Sequence, residues 1–178
     1  MSGEPSTNAD EELPQAQFIE DVGKYLEGRT ADSAIQQLNE NYRQFKMEET
    51  RLLQRRAYNL GKLPELKKTL GLVKMLTEKA EGDEEKVVVD FELSDSVFGK
   101  ASFRNVRTVN LWLGAHVMVE YPLDEAKSVL EASLSNCEKN LDSIKTDMEK
   151  IKDNITITEV SIARIYNYDV EKRRQEKK

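Results

Sequence analysis

The chain of 178 residues is 38% hydrophobic and 34% charged, with a net charge of −6 and an isoelectric point near 5.1. The charged fraction exceeds the quarter that is typical of compact domains and favours long, exposed helices, and the acidic balance argues against a general affinity for nucleic acid or anionic lipid. A single cysteine, Cys137, excludes an intrachain disulfide, and no stretch approaches the roughly 20 apolar residues of a membrane span. We therefore expect a soluble protein of the cytoplasm, with the nucleus as a second location.

The N-terminal part of the chain begins with a polar, acidic stretch. Residues 1–13 are expected to be a disordered tail with no signal-peptide core. An N-terminal helical arm is predicted over residues 14–80, with Pro14 opening a first short helix that Gly28 ends. Thr30 is the expected N-cap of the helix that follows. The apolar residues of the first helix share one face; they are Phe18, Ile19, Val22, Tyr25 and Leu26.

The rest of this arm carries an apolar heptad pattern that is interrupted in its middle. Such a spacing keeps one narrow seam facing a partner helix. The polar positions are Glu49, Arg56 and Asn59. Gly61 and Pro64 follow, so we expect a kink or a shift of register there. The heptad positions are Ile35, Leu38, Tyr42, Phe45, Glu49, Leu52, Arg56, Asn59, Leu63, Leu66, Leu70 and Val73. A neighbouring stripe that could carry the seam across the interruption consists of Leu53, Ala57 and Leu60.

Between the arms the apolar residues alternate, which predicts strands. Residues 86–121 are expected to form two β-hairpins, the first turning at Ser94–Ser96 and the second at Gly114-Ala115. Two hairpins of this size cannot bury both an apolar face and their open edges. We therefore expect an assembly platform in which hairpins of several subunits close a barrel, and an obligate oligomer. The predicted oligomerisation residues are Val87, Val89, Phe91, Leu93, Phe98, Phe103, Val109, Leu111, Trp112, Leu113, Val117 and Val119.

A C-terminal helical arm is predicted over residues 122–172, before a basic tail at 173–178. Its apolar positions follow an almost unbroken 4,3,4,3 spacing, which is typical of a coiled coil. The two arms are about equal in length, and the hairpin segment can reverse the chain. The predicted fold is therefore mainly α with a small β part: a long antiparallel coiled coil, capped by the hairpins, with both termini at its far tip. The seam positions are Leu130, Leu134, Cys137, Leu141, Ile144, Met148, Ile151, Ile155, Thr158, Ile162, Ile165 and Asp169.

Three strings of residues together carry a resemblance to one family. They are Leu111-Trp-Leu-Gly-Ala-His-Val-Met-Val-Glu-Tyr121, Thr158-Glu-Val-Ser-Ile-Ala-Arg-Ile-Tyr-Asn-Tyr-Asp-Val170 and Phe18-Ile-Glu-Asp-Val22. With the order helix, two hairpins, helix, these strings resemble the eukaryotic α-class subunits of prefoldin. The likeness extends over roughly residues 16–172.

The resemblance implies a hexamer of two α-class and four β-class subunits, whose hairpins form stacked barrels from which six coiled coils extend. It also implies an ATP-independent holdase. The distal ends of the coiled coils would capture unfolded or nascent proteins, notably actin and tubulin, and deliver them to the cytosolic group II chaperonin. No cofactor, nucleic-acid or membrane partner is implied.

The tip where both termini are expected to meet is the predicted client-binding region. Ile162 and Ile165 could instead be seam packing, and Phe18, Val22 and Leu26 could staple the N-terminal segment onto the coiled coil. Both alternatives are open from the sequence. The predicted client-binding residues are Phe18, Ile19, Val22, Tyr25, Leu26, Ile162, Ile165, Tyr166, Tyr168 and Val170.

No catalytic, metal-binding or cofactor-binding residue is predicted. His116 and Cys137 are the sole residues of their kinds, and one of each cannot make an ordinary structural zinc site. The main alternative function is a structural coiled-coil tether or scaffold subunit without client binding. A nucleic-acid adaptor that uses the basic tail is a further alternative, which the acidic net charge disfavours.

Overall fold

The computed structural model describes residues 14–81, 86–104 and 106–176, which form three helices and two antiparallel hairpins. The predicted fold class, mainly helical with a small β part, is confirmed. The chain divides into two compact units: unit 1 contains the residues up to Ala57 and from Asp142 onward, and unit 2 is Tyr58–Leu141. In chain order the elements are α1 Val22–Tyr25, α2 Ala31–Glu81, β1 Val87–Ser94, β2 Val97–Phe103, β3 Thr108–Gly114, β4 Val117–Pro122 and α3 Leu123–Glu176.

The first helix begins later than the sequence predicts. A helix was expected from Pro14, but the described residues before Asp21 form no regular helix or strand. Asp21 is the N-cap of α1, because its Oδ1 accepts the backbone N–H of Lys24 at 3.1 Å and so fixes where the helix starts. After the helix, Gly28 has a φ of 78°, a left-handed conformation that glycine adopts without strain.

Helix α2 is unbroken from Ala31 to Glu81 and passes through Pro64. Thr30 caps its start, since Thr30 Oγ1 accepts the backbone N–H of Ser33 at 3.3 Å. Within the helix, Pro64 has no N–H to give to the carbonyl four residues earlier. The helix nevertheless continues to Glu81, so neither this missing hydrogen bond nor the polar interruption of the heptad pattern ends it.

The alternative apolar stripe on α2 does not carry the seam. Leu53, Ala57 and Leu60 are all exposed, so that prediction is wrong. The original heptad position Asn59 faces α3 instead, where the Cys137 thiol lies 3.7 Å from the Asn59 side-chain Oδ1 and 3.4 Å from the Asn59 backbone carbonyl oxygen, both of which can accept its hydrogen. Because the polar residue finds a partner in the seam, the register need not shift to avoid it.

Unit 1 is built by α2 packing against α3 in antiparallel fashion. Ala34, early in α2, packs with Ile165, late in α3, while Phe45 lies further along α2 and packs with Ile144. Phe45 has no exposed surface, which makes it the largest fully buried side chain of this part. The buried residues around Phe45 are Leu52, Ile144, Ile151 and Ile155.

Unit 2 contains the hairpins and the helical segments on which they pack. Its core joins Leu70 and Val73 of α2 to Leu111 of β3 and Leu130 of α3. Two exposed ion pairs bridge the same helical segments, with Nζ–Oε1 distances of 3.5 Å for Lys67–Glu138 and 3.1 Å for Lys74–Glu131. Exposed pairs of this kind contribute at most about 1 kcal/mol each, so apolar burial dominates the stability of this unit.

Each hairpin is a separate two-stranded antiparallel sheet. In the first, Val87 pairs with Phe103, and in the second, Leu111 pairs with Val119. The second turn lies one residue later than predicted, at Ala115-His116, where φ is 48° and 61°. Two consecutive left-handed residues match the twist of a two-residue hairpin, but asparagine and glycine usually supply them, so the sequence signal was weak.

Replacing Ala115 by glycine is expected to stabilise the chain. A left-handed conformation costs an alanine about 1 kcal/mol that glycine does not incur, so the midpoint of thermal unfolding should rise. Ala101→Gly is the matched control, because Ala101 lies within β2, where glycine costs roughly 0.5–1 kcal/mol. A fall in the midpoint for Ala115→Gly, measured by circular dichroism, would contradict the assignment of the turn.

Candidate interaction surfaces

The second hairpin has one face in the core of unit 2 and one face exposed. Leu111 is buried against the helices, with Val109 and Tyr121 packed beside it. Because strand residues alternate, Trp112 and Met118 lie on the other face, directly opposite each other across the two strands. Trp112 is 59% exposed and Met118 56%, so two large apolar side chains form an uncovered pair. Leu113 and Val117 beside the turn are also exposed.

The first hairpin is apolar and exposed over most of its length. Val87 is buried and Val89 half-buried, but Phe91, Leu93, Val97 and Phe98 are exposed. The Phe91 ring covers Gly99 on the neighbouring strand, where an added Cβ would lie 3.2 Å from the ring. This contact leaves Phe91 itself largely open to solvent. We use "hairpin surface" for the exposed set Val88, Phe91, Leu93, Val97, Phe98, Trp112, Leu113, Val117 and Met118.

In unit 1, residues 14–26 form a strap that packs on the helices and is anchored near the end of α3. Ile19 and Val22 are buried in a cluster with Ala34 of α2 and Ile165 of α3. Ala16 packs beside the cluster around Phe45. The first and last parts of the described chain are therefore in contact, as the antiparallel prediction requires.

Arg164 makes the polar connection between the strap and α3. Its Nη2 donates to the Glu20 carbonyl oxygen at 2.9 Å, and its guanidinium lies 5.0 Å from the centre of the Phe18 ring. The latter distance is within the range of a cation–π contact. At the end of the strap, the Tyr168 hydroxyl lies 3.3 Å from the place that a Cβ on Gly23 would take.

A shallow apolar groove of about 370 Å³ lies between α2 and α3 on unit 1. Tyr42 and Glu159 both line this groove, and the Glu159 carboxylate raises the pKa of Tyr42 from its usual 10.0, chiefly because it favours the neutral phenol as a hydrogen-bond donor. The other residues that line it are Ile35, Asn39, Ile162, Ala163 and Tyr166. Ile162 and Tyr166 are predicted client-binding residues, but no local pattern predicts the groove itself, because its lining residues are spread over both helices.

A family model for prefoldin subunits matches residues 45–168, well over half of the chain. The chain belongs to the prefoldin family. It is 40% identical over 167 residues to prefoldin subunit 3 of Mus musculus, covering 92% of this chain and 85% of that protein. It is also 40% identical to prefoldin subunit 3 of Homo sapiens, covering 92% of this chain and 84% of that protein. With prefoldin subunit 3 of Drosophila melanogaster it shares 37% identity over 164 residues, which cover 90% of this chain and 82% of that protein. The resemblance inferred from the sequence is thereby confirmed. Prefoldins are co-chaperone subunits and not a known family of enzymes.

The residues predicted to bind clients fall into three classes in this prefoldin chain. Ile19, Val22 and Ile165 are buried, and Ile165 has no exposed surface. The half-buried ones are Tyr25, Leu26, Ile162 and Val170. Phe18, Tyr166 and Tyr168 are exposed, by 50%, 61% and 40%. All of them belong to unit 1, where the N-terminal segment and the end of α3 come together.

Two residues of this region were not singled out from the sequence. Arg164 contacts the strap through a carbonyl 144 positions away in the chain, and no local pattern predicts such a pair. Ser161 is fully buried although its hydroxyl has no hydrogen-bond partner among the described residues. A serine within a highly charged helix is expected to be exposed, so the sequence does not predict that Ser161 is buried.

Within residues 14–81, 86–104 and 106–176, no group of three or more histidine, cysteine, aspartate or glutamate side chains could hold a metal ion. In the same ranges, no helix combines the length and the apolar character that crossing a membrane requires.

Proposed function

We propose that the chain is an α-class subunit of a prefoldin hexamer of two α-class and four β-class subunits. The hexamer is an ATP-independent holdase of the cytoplasm. It captures unfolded or nascent proteins, actin and tubulin among them, and transfers them to the cytosolic group II chaperonin. The observation that carries the proposal is membership of the prefoldin family, joined to exposed aromatic side chains where the strap meets the last turns of α3.

Assembly through the hairpins is supported by the apolar side chains that unit 2 leaves uncovered. Burying a large apolar side chain stabilises by about 1.5–3 kcal/mol, so leaving the nine side chains of the hairpin surface exposed to water is unfavourable. Each hairpin is also a two-stranded sheet with unpaired edges. Pairing with hairpins of other prefoldin subunits in a barrel satisfies both needs at once. Three of the predicted oligomerisation residues then have a different role, since Val87 is buried within this chain and Leu111 and Val109 pack in the core of unit 2.

Client binding is assigned to unit 1 because its exposed aromatics lie outside the seam. Phe18, Tyr166 and Tyr168 offer apolar surface without needing the coiled coil to open. One such site binds weakly, but several subunits that hold the same unfolded chain bind it with a higher overall affinity, because each bound site raises the effective concentration at the others. Weak and plural contacts suit a chaperone that must release its client.

Replacing Phe18, Tyr166 and Tyr168 together by serine is expected to reduce the holding of clients several-fold and to leave assembly intact. The change removes apolar contact area and leaves the buried seam residues in place. The measurement is light scattering of denatured actin diluted into the assembled hexamer. The control is Tyr58→Ser, at an aromatic residue of unit 2 that is 68% exposed.

Unchanged suppression of aggregation by the triple variant would exclude these residues as client contacts. A hexamer that suppresses no aggregation even with the native chain would favour the alternative, a structural tether or scaffold subunit. The same assay therefore separates the two functions.

A further inference from the structure

The seam beneath the strap is built from small and polar residues where a coiled coil usually carries large aliphatic ones. Ala34 of α2 and Thr158 and Ser161 of α3 are each at most 2% exposed. The apolar volume that these side chains do not supply comes from Ile19 and Val22 of the strap, which pack with Ala34 and Ile165. Without the strap, the two helices would leave an open groove. We call this surface, formed by Ala34, Leu38, Thr158 and Ile165, the strap groove.

The strap is held in its groove by few directional contacts. In the described part of the chain, its backbone hydrogen bonds join residues 21–29 to one another, and its side-chain cap is the local one from Asp21. Its directional contacts with α3 both come from Arg164, which donates to the Glu20 carbonyl oxygen and lies over the Phe18 ring. An open cleft of about 560 Å³ lies along the strap, bordered by Leu38, Asn41 and Thr158. The strap is therefore accessible from solvent along this cleft, while its Ile19 and Val22 side chains stay buried.

The groove contacts the strap through a main-chain carbonyl and two aliphatic side chains, which other polypeptides can also offer. Arg164 binds a main-chain carbonyl, a group that every polypeptide offers. The two inserted side chains, Ile19 and Val22, are branched aliphatics three positions apart. Ser161, on the α3 face between Thr158 and Ile165, has a buried hydroxyl that lacks a partner in the described chain. A second peptide could thus use the same contacts and give that hydroxyl a main-chain partner.

We propose that the strap occupies the binding site of an unfolded client and is displaced when a client binds. An unfolded segment with branched aliphatic residues at positions i and i+3 replaces Ile19 and Val22 in the strap groove, and Arg164 binds its main-chain carbonyl in place of that of Glu20. The inference rests on the proposed holdase function and assigns it a groove and a recognition pattern. Phe18, Tyr166 and Tyr168 are exposed while the strap is in place, so they are available for first contact with the client.

The test uses the assembled hexamer and a fluorescent peptide with the sequence of residues 14–27. The chain carrying Ile19→Ser and Val22→Ser has a weakened strap, and we expect it to bind this peptide at least tenfold more tightly than the native chain does. A peptide with serine at the same two positions should bind to neither. The matched control is Glu27→Ser with Gln36→Ser, two exposed residues, which should bind the peptide as the native chain does.

A second measurement does not depend on any variant. Hydrogen exchange of the native hexamer is followed with and without denatured actin, and exchange at Lys24–Leu26 should accelerate when the client is bound, because strap release breaks the hydrogen bonds of α1. Equal peptide binding by native and weakened chains, or unchanged exchange in α1 while actin is held, would overturn the inference and leave the holdase proposal standing. Failure to hold actin at all would overturn the proposed function.

Discussion

Replacing Trp112 and Met118 together by glutamate is expected to leave the chain folded and to weaken its assembly with other prefoldin subunits severely. Both side chains are more than half exposed and lie opposite each other on the outer face of the second hairpin. Their substitution therefore removes little from the core of unit 2. Burying two side chains of this size at an interface stabilises by about 3–6 kcal/mol, so assembly should weaken by roughly two to four orders of magnitude.

The measurement is sedimentation of the variant after mixing with the partner subunits, with circular dichroism to follow its helix content. Met47→Glu with Tyr58→Glu is the matched control. These are again a methionine and an aromatic residue, 73% and 68% exposed, and both lie on α2 outside the hairpins. The control should assemble as the native chain does. A Trp112/Met118 variant that still forms the hexamer would mean that the outer hairpin face is not the assembly surface.

Replacing Phe45 by alanine is expected to cost about 3–5 kcal/mol of stability, the range found when a buried phenylalanine is truncated. Phe45 has no exposed surface and packs between Leu52 and the isoleucines of α3, so its removal leaves a cavity that the helices cannot easily fill. Urea unfolding followed by circular dichroism gives the change in midpoint. The loss should fall on unit 1, and the holding of clients should decline with it.

Met47→Ala is the control for this substitution. Met47 lies two residues further along α2 and is 73% exposed, so its truncation should change the free energy of unfolding by less than about 0.5 kcal/mol. Similar midpoints for the two variants would mean that the α2–α3 packing around Phe45 does not support unit 1.

The regular parts of the fold were predictable because a simple period governs them. On α3, positions such as Ile144, Ile151 and Ile165 are buried where the 4,3 spacing predicts, since one face of a long helix must meet its partner. The hairpins were predictable from alternation, which requires only that one face of each strand be covered. Local chemistry was sufficient in both cases.

The parts that the sequence could not predict depend on contacts between distant residues. From the sequence alone, Leu53 and Leu60 are plausible seam residues. The structure shows instead that Cys137 of α3 lies opposite Asn59, so the original heptad position keeps its place in the seam. The apolar spacing of the strap predicts a helix from Pro14, but the helix begins only after the N-cap Asp21. Neither this cap nor the contact between Glu20 and Arg164 can be derived from apolar spacing. The predicted client-binding residues stay predictions, and the structure limits which of them are accessible without rearrangement.

The thiol of Cys137 gives this chain a chemical probe of its own dynamics. It is the sole cysteine, it is 4% exposed, and it lies in the seam of unit 2 against Asn59. An alkylating reagent can reach it only when α2 and α3 separate locally, so the rate of modification measures that opening and is insensitive to events confined to unit 1. The rate of local opening of the helices that support the hairpins can thus be measured in the native sequence, without an engineered label.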